Sequence, residues 1–115
     1  MNPYRSLSLW HDSTADPLDP RPSLPGDAEA DVAIVGAGYT GLWTAYYLKR
    51  AQPDLRVIMV EAEIAGYGAS GRNGGWCAGE IAGNRHRLLE AHGREAVVTL
   101  YREMFRTVDE VGTVV

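Results

Sequence analysis

The chain has 115 residues, 45% of them apolar and 23% charged, with a formal charge of -4. That length fits one small globular domain, and the mild acidity argues against nucleic acid or an anionic membrane as partner. One cysteine, Cys77, excludes an intrachain disulfide, so a reducing, cytoplasmic setting is the natural expectation. The first ten residues lack the apolar core of a secretory signal. No apolar run approaches the roughly 18 residues of a membrane span, so a soluble protein is expected.

Residues 1–30 read as an irregular, extended N-terminal arm. Pro3, Pro17, Pro20, Pro22 and Pro25 punctuate it, and proline neither donates to a ladder nor continues a helix. Tyr4, Leu7, Leu9 and Trp10 are candidates to anchor the arm on a folded body. Asp31 to Val35 is a short apolar run that ends abruptly in glycine. It predicts a parallel strand buried on both faces. Tyr39 to Arg50 follows helical spacing, with Leu42, Ala45, Tyr46 and Leu48 as the inward stripe. Lys49 and Arg50 suit the negative end of the helix dipole, and Pro53 stops the helix. Arg56 to Val60 predicts a second strand, ending in Glu61. Strand, helix and strand in about 30 residues make a right-handed βαβ crossover.

A glycine-rich connection spans Ala65 to Gly83. From Arg85 to about Gly112 the spacing predicts helix, broken at Gly93. There Val97, Leu100, Tyr101, Met104, Val108 and Val111 form an apolar stripe suited to core packing. No internal repeat is visible. The fold class is therefore α/β, a Rossmann-like dinucleotide-binding βαβ unit. It is incomplete, because two strands alone are marginal. Residues 31–115 are expected to be the N-terminal portion of a cofactor-binding domain within a longer protein.

The first strand turns through Gly36-Ala37-Gly38-Tyr39-Thr40-Gly41. In such a turn Gly36 permits the sharp exit from the strand. Gly38 lets a pyrophosphate approach the backbone, and Gly41 lets helix and sheet pack closely. The helix N-terminus presents free N–H groups to phosphate. Glu61, 20 positions past Gly41 at the end of the next strand, is placed to accept hydrogen bonds from ribose hydroxyls and to repel a 2′-phosphate. Three turn glycines and a surface glutamate is the bland alternative.

A second cluster packs five glycines, Ser70, Arg72 and Asn73 into residues 66–76, just past the second strand. Ligands of open α/β sheets bind outside that edge. Backbone N–H groups there can form an anion nest, Ser70 can donate to a phosphate oxygen, and Arg72 can pair with one. The competing reading is a flexible connector. His11, His86 and His92 read as solvent-exposed histidines with no zinc spacing, and no metal is expected. Cys77 reads as a small buried residue, and Trp43 and Trp76 as core or edge packing. No residue carries the marks of a catalytic acid or base.

On these residues the chain resembles the FAD-dependent amine and amino-acid oxidoreductases of the D-amino-acid oxidase superfamily, and within it the gamma-glutamylputrescine oxidase group. Asp31 to Leu42 is similar to that family's first strand and turn, Val60-Glu61-Ala62 to its second strand end, and Gly68 to Gly75 to its second FAD-contact segment. The arm residues Leu9-Trp10 and Pro20-Arg21-Pro22 share the likeness. The resemblance moves the expected cofactor from NAD to FAD. It implies that Gly36, Ala37, Gly38, Tyr39, Thr40 and Gly41 flank the pyrophosphate and that Glu61 and Ala62 lie at the ribose. Ser70, Gly71, Arg72, Asn73 and Gly74 would then run along the pyrophosphate towards the flavin. It also implies hydride transfer from the carbon beside a substrate amine to the flavin, with the amine or amino acid bound by a second domain beyond Val115. An NAD-dependent dehydrogenase explains residues 31–61 but leaves the second cluster unaccounted for. A non-catalytic nucleotide-binding fragment is the third reading.

Overall fold

A computed structural model describes residues 2–115. Two compact units divide the chain, one running to Gly74 and the other from Gly75 to Val115.

In the first unit, strands β1 (Val32–Val35) and β2 (Val57–Val60) pair in parallel, Val32 opposite Val57 and Val35 opposite Val60. Helix α2 (Tyr39–Ala51) connects them. Its last turn holds Lys49 and Arg50. Lys49 Nζ donates to the carbonyls of Pro53 and Leu55, so the predicted dipole partner also ties down the return loop. At the outer end of the sheet, Arg56 N donates to Asp31 Oδ2 at 2.8 Å and its guanidinium meets Asp31 Oδ1 at 3.3 Å. Those bonds from Arg56 hold the Asp31 carboxyl below its ordinary range.

The expectation of a strand buried on both faces fails. Along β1, Val32 and Ile34 are half-buried while Ala33 and Val35 are exposed, Val35 to 88%. Among the described residues helix covers one face of this two-stranded sheet, so alternate residues face outwards. The helix stripe is correspondingly shallow: Ala45 and Leu48 are half-buried, but Leu42 and Tyr46 are exposed. Trp43 is half-buried beside Tyr46 and Tyr47, its ring centroid 5.6 Å from each. Among the described residues, the buried apolar ones of the unit are Ala37, within the glycine turn, and Ile64.

The arm is less extended than its prolines suggest. Pro3–Leu7 forms a 3-10 turn, with Asn2 accepting from Tyr4 N. Leu9–Ser13 forms helix α1, with Ser8 as N-cap accepting from His11 N. Arg5 donates to the carbonyls of His11, Asp12 and Thr14 and so satisfies the end of α1. Proline is tolerated in a first helical turn, which is why Pro3 does not break this one. Residues 14–31 carry no regular element. Of the four candidate anchors, Tyr4 and Leu7 are half-buried, whereas Leu9 and Trp10 stay exposed.

The second unit is dominated by α3 (Arg85–Val114), capped by Asn84 and interrupted at Gly93, whose φ of +76° leaves the helical region. The break falls where the glycine predicts it. Val97 is buried and Tyr101, Met104, Val108 and Val111 are half-buried, as the stripe requires, but Leu100 is exposed. Two other expectations fail here. Cys77 is exposed, and Trp76 is 89% exposed. Both lie in a segment without regular structure, and such connecting segments run over the surface. His86 and His92 are exposed, as the sequence predicts. No helix among the described residues is long and apolar enough to cross a membrane.

Candidate functional site

The glycine turn leaves β1 at Gly36, whose φ of +97° lies in the left-handed region that only glycine enters without strain. Gly36 N donates to Val60 O at 2.8 Å, extending the parallel ladder to the tip of β2. A Cβ on Gly41 would collide with the Gly36 carbonyl oxygen and lie 3.2 Å from Ile34 Cγ2. Gly41 is thus a point of close approach between helix and strand, as the sequence predicts. A Cβ on Gly38 would sit 2.9 Å from Ser70 Oγ, so this glycine admits the second cluster to the turn.

Two side chains accept from the backbone of the turn. Ala37 N donates to Glu61 Oε2 at 2.8 Å, and Tyr39 N donates to Ser70 Oγ at 2.9 Å. Gly38, the N-cap of α2, has no side chain to offer. The hydroxyl of Ser70, 31 residues away, does the work that a local Ser or Asp would do. Glu61 Oε1 also accepts from Glu63 N at 3.3 Å. The Ala37 bond, then the Glu63 bond, hold the Glu61 carboxyl below its ordinary range. A carboxylate accepts about four hydrogen bonds, so these two leave capacity for a ligand hydroxyl.

Gly66 N donates to Ala37 O at 3.0 Å, so the second cluster begins against the first turn. Ala69–Gly71 then forms a single 3-10 turn that presents Ser70. Arg72 Nε donates to Tyr67 O at 2.6 Å, and its guanidinium lies 4.7 Å over the Tyr67 ring. Asn73 Nδ2 donates to the carbonyls of Ala69 and Ser70, closing the turn on itself. The structure therefore brings Gly36, Ala37, Gly38, Tyr39, Gly41, Glu61 and Ser70 together. Arg72 and Asn73 instead brace their own segment. Ala62 and Gly74 are exposed beside these groups in the chain, and Thr40 O accepts from Thr44 Oγ1 within α2.

One contact set escaped the sequence reading. His11, expected in solvent, is only 5% exposed. Its ring packs on Gly71 and its Nδ1 lies 2.7 Å from Ser8 Oγ, which removes it from water. Ser8 Oγ donates to Gly71 O at 2.7 Å, and Trp10 Nε1 donates to Asn73 O at 2.8 Å. Tyr4 packs edge-on to Tyr67 and donates its hydroxyl to Glu63, a bond that raises the Tyr4 pKa. The available signal was Ser8 immediately before Leu9-Trp10-His11, an N-cap pattern. Among the described residues no group of three or more His, Cys, Asp or Glu is arranged to hold a metal ion.

A parallel strand, glycine turn, helix and strand with an acidic tip define a Rossmann-like α/β unit of the dinucleotide-binding class. The model of the family described as FAD-dependent oxidoreductase (DAO) matches residues 31–113. The chain belongs to that FAD-dependent family. It is 34% identical to a gamma-glutamylputrescine oxidoreductase of Escherichia coli (strain K12), over 85% of this chain and 22% of the relative. It is 47% identical to a probable oxidoreductase, OrdL, of Rhizobium meliloti (strain 1021), over 57% of this chain and 15% of the relative. It is also 48% identical to a thiamine thiazole synthase of Aspergillus oryzae (strain ATCC 42149 / RIB 40), over 47% of this chain and 15% of the relative. The chain thus spans about a fifth or less of the length of these curated relatives. No solved structure gives a significant match.

Proposed function

We propose that this chain is the FAD-binding portion of an oxidoreductase that oxidises a C–N bond of an amine or amino acid. The observation that carries the reading is the joining of the two glycine clusters through Ser70 Oγ and Tyr39 N. An NAD site accounts for the first cluster only, whereas the family is FAD-dependent. The C–N donor rests on the likeness to the gamma-glutamylputrescine oxidoreductase, which covers most of this chain.

The residues fit the cofactor. The side-chain-free edge of Gly38 and the first N–H groups of α2 receive the pyrophosphate, and the hydroxyl proton of Ser70 is available to one of its oxygens. Glu61, with Ala62 beside it, takes the adenosine ribose with its remaining lone pairs. Gly71, Arg72, Asn73 and Gly74 carry the second segment on towards the flavin end, and Thr40 lies in the first helical turn beside the phosphates. Bound FAD supplies the acceptor for a hydride leaving the carbon next to the substrate nitrogen. The protein contributes binding and orientation. The substrate-binding part belongs to the length of the relatives that this chain does not span.

The visible absorption spectrum of the intact native protein tests this. The expected result is a bound-flavin spectrum that bleaches when an amine or amino acid is added without oxygen. A protein that stays colourless after incubation with FAD sinks the cofactor reading. One that binds flavin but is reduced by no amine or amino acid sinks the donor class alone.

A further inference from the structure

We infer that the N-terminal arm is a positioning element for the second glycine cluster, acting through Ser8, Trp10 and His11; this rests on the FAD reading above. The arm supplies two of the bonds that hold the segment 66–74, beside those of Gly66 N, Tyr67 N, Ser70 Oγ and Arg72 Nε and those within its own turn. Ser8 Oγ donates to the carbonyl of Gly71 and Trp10 Nε1 to that of Asn73, so the carbonyls on either side of Arg72 are both anchored. Sequence separations of 63 residues make these bonds tertiary braces rather than local capping.

The hydrogen-bond roles are determined by counting protons. Ser8 has one hydroxyl proton, and the Gly71 carbonyl can only accept it. His11 Nδ1, 2.7 Å from Ser8 Oγ, must therefore be the protonated ring nitrogen. Ser8 Oγ accepts from this N–H and from His11 N, and donates to Gly71. The ring of His11 also fills the space beside Gly71: a Cβ there would lie 2.7 Å from His11 Cε1. Gly71 is thus contacted both by buried His11 and by half-buried Ser8. Its neighbour Ser70 presents the hydroxyl that meets the α2 N-terminus. Shifting Gly71 moves that hydroxyl, so the arm bears on cofactor binding without touching the cofactor.

The test uses the intact native protein and its variants Ser8→Ala, Ser8→Thr and Trp10→Phe. Ser8→Ala removes the donor to Gly71, Trp10→Phe removes the donor to Asn73 and keeps an aromatic ring, and Ser8→Thr keeps the hydroxyl. For Ser8→Ala and Trp10→Phe combined, FAD affinity by fluorescence titration is expected to fall about tenfold, the effect of one to two lost hydrogen bonds. Adenosine affinity, which reports the ribose contact at Glu61 without a diphosphate, should change by less than about threefold. Amide hydrogen exchange should quicken in residues 69–73 and stay unchanged in α2 beyond its first turn. Ser8→Thr should restore the parental affinity. Unchanged FAD affinity in the double variant, or equal loss of FAD and adenosine affinity, overturns the arm's role and leaves the cofactor reading standing. A parent that binds ADP but no flavin overturns both.

Discussion

The two glycine clusters lie side by side but are held by different means. The first, Gly36 to Gly41, is suspended between a strand and a helix. Its positions follow from the β-ladder bond of Gly36 N and from the close approach of Gly41 to Gly36 and Ile34. The second, Gly66 to Gly74, has one short turn and the backbone bond of Gly66 N to Ala37 O, and depends for the rest largely on side chains: Ser70 on Tyr39 N, and Ser8 and Trp10 on its carbonyls. A backbone frame tolerates changes in the surrounding side chains. A side-chain frame does not. The first cluster should therefore be most sensitive to its own glycines, and the second to the loss of a distant anchor.

The sharpest way to break the comparison is Gly41→Ala. In an exposed helix the exchange gains about 1 kcal/mol of helix propensity. Here the new methyl meets a backbone carbonyl that cannot swing away, and overpacking of that kind costs about 3 kcal/mol. The clash should win, with a net loss of about 2 kcal/mol in the urea-unfolding free energy. A stabilised variant would falsify the close-approach role.

Gly38→Val comes next. Its Cβ alone would stand 2.9 Å from Ser70 Oγ, and two further methyls would fill the space proposed for the pyrophosphate. FAD affinity should fall on the order of a hundredfold, as when two hydrogen bonds to charged groups are lost. Titration of the purified variant with FAD decides it, and parental affinity would show that no phosphate approaches Gly38.

The smallest effect belongs to Glu61→Gln. The amide keeps an acceptor for Ala37 N but loses the charge, so FAD affinity should drop about fivefold. The same bond predicts a pH dependence. The Glu61 pKa is lowered in the folded state by its bonds from Ala37 N and Glu63 N. Its contribution is complete above the unfolded value of about 4.3 and is lost as pH falls through the lower folded value. The Ala37 amide proton shift should follow that titration, with a midpoint under about 4.3, and Glu61→Gln should abolish it. A midpoint above the ordinary value would mean that the Ala37 bond does not form in solution.

The βαβ unit was legible because its signals are local. Glycine after Val35, helical spacing from Tyr39 and proline after Gln52 need no knowledge of distant residues. Their predicted spans agree closely with Val32–Val35, Tyr39–Ala51 and Val57–Val60. What stayed hidden depends on contacts across long separations. An apolar run such as Val32 to Val35 shows that a strand wants cover on both faces, not whether cover is present. Nor could the spacing of Ser8 and His11 reveal a partner at Gly71. The same limit applies to Ser70: its residue type suggested a phosphate contact, while its bond to Tyr39 N needed the fold.

The Asp31–Arg56 pair at the far end of the sheet has a consequence for the whole nucleotide site. Parallel strands have no hairpin to align them, and a slip of one residue would displace Glu61 by about 3.3 Å and turn its side chain to the opposite face. Ala37 would then lose its carboxylate partner. The carboxylate and guanidinium at the strand entrances act as an alignment key: with Asp31 and Arg56 matched at one end, Val35 meets Val60 at the other. A surface ion pair of negligible intrinsic strength can in this way govern the precision of a site four rungs of the ladder away.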